Sequence, residues 1–286
     1  MTAPPPPEPP IGMPPARTLN APGRGELFMR DTGGEGPVVM LLHGWMVSAD
    51  LNWYGAYGDL VDAGYRVLAI DHRGHGRGLR PLERFSLADC AADAAAALRG
   101  LGLAPATVVG YSMGGAIAQL VAHDHPDVVS GLVLSGTAPH YRDPRARRAW
   151  KVMGALRLML SLAPAATWRA AFRAVGLREL GDLGPAELRR MAWFQSELMR
   201  QSARDVADAG RELGRFDSRP WLGSLRMPTA VVITTRDRTV PTSAQRELAA
   251  ALGAPVLEVA LDHLEIVSSA AVYNPALLEA IAAVRR

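Results

Sequence analysis

One serine in this sequence is set up to attack: it sits in Gly110-Tyr111-Ser112-Met113-Gly114, at the end of the apolar run Thr107-Val108-Val109. A serine hydroxyl is a weak nucleophile until a base removes its proton, so the chemistry also demands a histidine and a group to orient it. The glycine spacing has a steric reading. It describes a sharp strand-to-helix turn that lifts the hydroxyl above a sheet, with glycine on both sides because side chains there would clash. When a serine attacks a carbonyl, negative charge develops on oxygen and backbone N–H groups must receive it. The helix expected after Ser112 aims N–H groups at its own N-terminus, which makes Met113 N–H the first donor. Trp45 N–H is the second, with Met46 next in line, in Leu41-Leu42-His43-Gly44-Trp45-Met46, just after a strand-like run.

These groups need elements to carry them. Strand-like runs cover residues 26–33, 37–44, 65–71, 106–112 and 129–136, with helical stretches expected near 52–63, from Ser86 to Leu101 and from Gly114 to His123. Strands alternating with helices at this spacing imply βαβ units and a mostly parallel sheet. From 141 to 226 the alternation stops. That stretch reads as amphipathic helices, one starting at Gly184-Pro185 with Leu188, Met191, Phe194 (or Gln195) and Leu198 along one face. The alternation resumes with a strand before Asp237, a helix from Ser243 to Leu252, a strand before Asp262 and a closing helix from about Pro275 to Val284. The expected fold class is therefore α/β, a mostly parallel central sheet flanked by helices. The core spans 17–140 and 227–286, a helical cap is inserted at 141–226, and residues 1–16 form a proline-rich tail.

Five motifs stand in a telling order: His43-Gly44-Trp45, Asp71-His72-Arg73-Gly74-His75-Gly76-Arg77-Gly78, Gly110 to Gly115, Thr235 to Pro241, and a late histidine. On these residues the chain from about position 25 onward resembles the α/β-hydrolase superfamily. The resemblance implies Ser112 as nucleophile, Asp237 as the acid after the cap and His263 as the base after the last strand. Asp237 and His263 each follow a strand-like run directly, at the carboxyl ends where parallel-sheet sites assemble. In these roles His263 takes the Ser112 proton and later returns it to the leaving group, while Asp237 fixes the imidazole tautomer. The family commonly has glycine before this histidine, whereas here Asp262 precedes it and Glu265 follows. Both are rival acids with poor geometry, because they are too close to the histidine in sequence.

Other residues have plainer readings. His43, His72 and His75 lie in glycine loops and suit loop shaping, with His43 bracing the Trp45 loop. His123 and His125 suit surface or capping roles, and His140 opens the cap. Trp150, Trp168, Trp193 and Trp221, with Met153, Met159, Met191 and Met199, suit packing within the cap or an adaptable apolar pocket. The single cysteine, Cys90, precludes an internal disulfide and reads as a buried helix residue.

Composition narrows the function classes. With 49% hydrophobic and 21% charged residues the chain can bury a sizeable core, and Arg157 interrupts its best apolar run, so a membrane span of roughly 18 apolar residues is not expected. No basic and apolar leader pattern opens the sequence, which makes cytoplasmic residence the expectation. The formal charge is +3, and residues 141–226 hold 17 arginines and lysines against 9 aspartates and glutamates. No nucleic-acid motif accompanies this charge, so solvated helix faces or steering of anionic substrates account for it.

The expected activity is that of a cofactor-independent serine hydrolase acting on a small-molecule ester or related acyl substrate, with no metal. A serine in the elbow argues against the dehalogenases and epoxide hydrolases of the superfamily, which carry aspartate there. The resemblance leaves C–C bond hydrolases, lactonases, thioesterases and perhydrolases open, and a receptor-like ligand binder is the alternative from another class.

Overall fold

Parallel strands buried on both faces need apolar side chains at every position, and Val38–Leu42, Arg66–Ile70, Ala106–Tyr111 and Val129–Ser135 nearly all meet that demand. In the computed structural model, which describes Pro9 and residues 12–142 and 185–285, these are β3, β4, β5 and β6. They are preceded by β1 (Ala16–Ala21) and β2 (Gly25–Asp31) and followed by β7 (Thr229–Thr234) and β8 (Val256–Val259). The eight strands form one sheet in the order β1-β2-β4-β3-β5-β6-β7-β8. β2 pairs antiparallel with both β1 and β4, and every other pairing is parallel.

Alternate residues of each central strand serve two separate cores. Met40, Leu42, Leu68, Ile70, Val108, Leu132 and Leu134 face α3 (Leu87–Gly100) and α4 (Met113–Asp124). Val39, Leu41, Val67, Ala69, Val109 and Val133 face the opposite layer of α1 (Ala49–Trp53), α2 (Tyr57–Asp62) and the C-terminal helix Ala270–Ala283. Serine caps set the starts of α1 and α3: Ser48 accepts from Leu51 N–H, and Ser86 accepts from Asp89 N–H.

Two helices are described in the segment between β6 and β7, α5 (Pro185–Leu198) and α6 (Ala203–Leu213), and α7 (Thr242–Leu252) and α8 (Ala270–Ala283) are the other α-helices among the described residues. Trp150, Trp168, Met153, Met159 and most of the proline tail lie outside the described residues.

The structure departs from the sequence reading at four places. β1 was not expected. Pro14 and Pro15, assigned to the tail, already join the fold, since their carbonyls accept from the Arg30 side chain and Asp31 N–H. The helix expected over 52–63 is two short helices broken at Tyr54–Ala56. α8 starts at Ala270, with Pro275 inside it, because Asn274 anchors its first turns through Gly55 O and Asp59. Among the α5 side chains described, Trp193 and Glu197 are buried, while Phe194 and Leu198 are half-buried. The side chains of Leu188 and Met191 lie outside the description.

Candidate active site

The elbow is built from close backbone approaches. Ser112, between β5 and α4, has φ 54° and ψ −117°, a region that costs a non-glycine residue about 1–3 kcal/mol and persists only where the surroundings impose it. A Cβ on Gly110 would lie 2.2 Å from the Gly114 carbonyl oxygen, and one on Gly114 would lie 2.1 Å from that of Leu42. Only hydrogen fits at either position. The turn is then fastened by the Ser112 carbonyl, which accepts from Thr137 Oγ1 at 2.9 Å, Tyr141 OH at 3.1 Å and Gly115 N–H at 2.9 Å.

The loop after β8 brings His263 to this hydroxyl, with Nε2 2.9 Å from Ser112 Oγ. On the other side of the ring, Nδ1 lies 2.7 Å from Asp237 Oδ2. A carboxylate only accepts, so the proton sits on Nδ1 and Nε2 is left to accept the serine O–H. All three residues are buried. Asp237 is itself fixed in a tight turn: Oδ1 accepts from Thr239 and Val240 N–H at 2.8 and 2.7 Å. Its Oδ2 also accepts from Thr234 Oγ1 at 2.7 Å and Gln245 Nε2 at 3.2 Å.

Asp262 and Glu265, the rival acids, are turned to other work. Asp262 accepts from the His263 backbone N–H and pairs with Arg238, and Glu265 accepts from Asp262 N–H at 2.7 Å. Both imidazole nitrogens are already engaged by Asp237 and Ser112.

The Trp45 loop leaves the end of β3 beside the serine, since a Cβ on Gly44 would lie 3.5 Å from Ser112 Cβ. Its backbone is braced from beneath. Gly44 N–H donates to Asn52 Oδ1 at 2.8 Å, and His43 Nδ1 lies 2.8 Å from the Gly44 carbonyl. His43 Nε2 accepts from His72 N–H at 3.0 Å, so the His43 proton is on Nδ1. Burial holds His43 well below the ordinary histidine range, and pushes His72 to about 3 and His75 to about 4. The three rings are therefore neutral at physiological pH. Met113 N–H occupies the first position of α4, where no intrahelical acceptor exists.

Several supporting residues carry no sequence signal of their own. Thr234 and Gln245 around Asp237, and Thr137 and Tyr141 around Ser112, are ordinary polar residues whose positions matter only after the chain has folded. Among the peripheral histidines, His123 pairs with Asp124 and His140 lies 3.6 Å from Glu247. Cys90 is buried with its thiol pKa pushed up by burial. Arginines of the inserted segment pair with its own acids, Arg200 with Glu197, Arg215 with Glu212 and Arg219 with Asp217.

A family model for the alpha/beta hydrolase fold matches residues 37–190. The chain belongs to the α/β-hydrolase family. A pimeloyl-[acyl-carrier protein] methyl ester esterase of Chromobacterium violaceum is 33% identical over 245 residues, covering 79% of this chain and 86% of that protein. A non-heme haloperoxidase of Rhodococcus erythropolis is 41% identical over 115 residues, 40% of this chain and 41% of that protein. Among solved structures, the enol-lactonase of Burkholderia xenovorans LB400 superposes with a TM-score of 0.77 at 21% identity, covering 93% of this chain and all of that one. These α/β-hydrolase relatives indicate an enzyme with a small-molecule substrate. Among the described residues, no helix is long and apolar enough to cross a membrane.

Proposed function

We propose that this α/β-hydrolase is a cofactor-independent serine hydrolase that cleaves a carboxylic ester or related acyl substrate. One observation carries the reading: an unbroken hydrogen-bonded line from Ser112 Oγ through His263 to Asp237, with spacings of 2.9 and 2.7 Å. In this mechanism Ser112 Oγ attacks the acyl carbon as its proton passes to His263 Nε2. The carbonyl oxygen becomes an oxyanion received by the Trp45 and Met113 backbone N–H groups, and Asp237 stabilises the imidazolium. As the C–O bond breaks, Nε2 returns the proton to the leaving alcohol, which departs and leaves an acyl-serine. Water then attacks with His263 as base, and the carboxylic acid is released with Ser112 restored.

An ester as substrate is supported by the Chromobacterium violaceum relative, which is named for a methyl ester and aligns over most of this chain. The test is hydrolysis of p-nitrophenyl esters of increasing acyl length by wild type and Ser112→Ala. Turnover by wild type that disappears in Ser112→Ala supports the reading. Equal turnover in both proteins contradicts it.

A further inference from the structure

The loop assigned to receive the oxyanion is gripped from two sides. The core-side grip is the bracing by Asn52 and His43 described above. The second grip comes from the inserted helices. The Trp45 indole Nε1–H donates to the Val206 carbonyl of α6 at 2.7 Å. Three residues further on, Ser48 Oγ donates to Glu197 Oε2 of α5 at 3.3 Å.

Glu197 is only 1% exposed, so its charge demands partners. Arg77 supplies a two-pronged pair, with NH1 2.9 Å from Oε2 and NH2 2.7 Å from Oε1, and Arg200 Nε adds a contact at 2.8 Å. Arg77 reaches on to Asp50 at 3.2 Å, and Arg30 holds Asp50 by two further bonds. This network fastens α5 to the start of α1, the helix that Ser48 caps. α6 is fastened beside it: Ser202 N–H donates to the Gly74 carbonyl at 3.0 Å, and a Cβ on Gly74 would lie 2.2 Å from Asp205 Cβ.

Between Trp45 and Ser48 lies Met46, with φ 65°. A methionine holds that left-handed conformation only under external constraint, at a cost of about 1–3 kcal/mol. The contacts at Trp45 and Ser48 flank it and provide that constraint.

Resting on the serine-hydrolase reading, we infer that Trp45 is a positioning residue in addition to its backbone role. Its indole ties the oxyanion loop to the inserted helices, and the docking of those helices through Glu197 and Arg77 sets the geometry of the oxyanion hole. The loop's N–H groups matter chiefly in the transition state, so loosening the tie lowers kcat and leaves KM nearly unchanged.

The experiment replaces the Trp45 indole with benzothiophene in the full-length protein, keeping ring shape while removing the N–H, and compares Trp45→Phe and Glu197→Gln. Turnover of p-nitrophenyl acetate and amide hydrogen exchange over residues 43–52 are measured for each. The expected result is a kcat loss of about tenfold, short of the roughly 10² to 10³ for outright loss of one donor. KM stays within about twofold, and exchange in the loop is faster in all three variants. Unchanged kcat and unchanged exchange in the benzothiophene variant overturn the inference. A wild type that turns over no ester contradicts the hydrolase reading instead. Loop exchange then decides the tie by itself: faster exchange in the variants upholds it, and identical exchange refutes it.

Discussion

The phenol of Tyr111 donates to the backbone carbonyl of His263 at 2.5 Å, so the residue before the proposed nucleophile holds the backbone of its proposed base. The two rings also lie 5.1 Å apart. Burial keeps the Tyr111 hydroxyl protonated far above neutral pH, so it remains a donor. Tyr111→Phe leaves a buried carbonyl short of a partner and is expected to lower stability by about 1–3 kcal/mol. It also lowers kcat without raising KM, because it loosens the imidazole rather than the substrate. Denaturant melts and steady-state kinetics on the same preparation check both effects.

Asp237 offers a sharper test of the tautomer argument. Asp237→Asn presents an amide where His263 Nδ1–H needs an acceptor, which favours the wrong tautomer and removes support for the imidazolium. A loss in kcat of about 10⁴ is expected. Circular dichroism and kcat on a p-nitrophenyl ester together separate this from unfolding. Comparable activity in the variant assigns the acid role elsewhere.

Gly114 gives a steric prediction. The Leu42 carbonyl oxygen stands 2.1 Å from where a Cβ would be placed, and backbone cannot retreat as a flexible side chain does. Gly114→Ala is expected to cost about 3 kcal/mol or more, seen as a drop in Tm of roughly 6 °C or more. Labelling of Ser112 should fall with it, since β3 and the elbow are forced apart. A wild-type Tm in this variant refutes the packing described.

Asp71 makes a pH prediction. It is buried beneath the loop, accepting from Ala49 and Arg77 N–H at 2.7 Å each, and burial still pushes its pKa up to about 6. The folded state therefore binds this proton more tightly than the unfolded chain, whose carboxyl titrates near 3.9. Its contribution to stability is complete below about pH 4 and is lost as pH rises through about 6. Asp71→Asn should remove that slope, so wild-type stability declines relative to the variant between pH 4 and 6. Asp205, also raised by burial, and Asp31 and Asp217, held down to about 2 by arginines, titrate alike in both proteins, so the difference between wild type and variant isolates Asp71. Urea melts across the window decide it, and parallel curves contradict the assignment.

The sequence made the central strands legible because burial on both faces leaves an unbroken apolar signature. β1 was silent for the opposite reason: it is an edge strand, mostly exposed, whose residues follow a run of prolines. The positions of Ser112, Asp237 and His263 at strand ends were readable from local pattern and resemblance. The burial of Glu197 in α5 was not, because its partners Arg77 and Ser48 lie 120 and 149 positions away in sequence. Phe194, on the expected apolar face, is half-buried and meets Tyr54 edge-on, whereas apolar spacing carries no sign of a buried, ion-paired glutamate. Thr234, Gln245 and Thr137 escaped notice likewise, since their value is set by partners that only tertiary folding supplies.

Every catalytic role proposed above depends on Ser112 being an activated nucleophile. The most direct measurement is labelling of the purified, folded protein with a fluorophosphonate probe, wild type beside Ser112→Ala, with the modified peptide identified by mass spectrometry. One covalent adduct on Ser112 is expected in wild type and none in the variant. A folded wild-type protein that takes up no label, or is labelled at another residue, contradicts it.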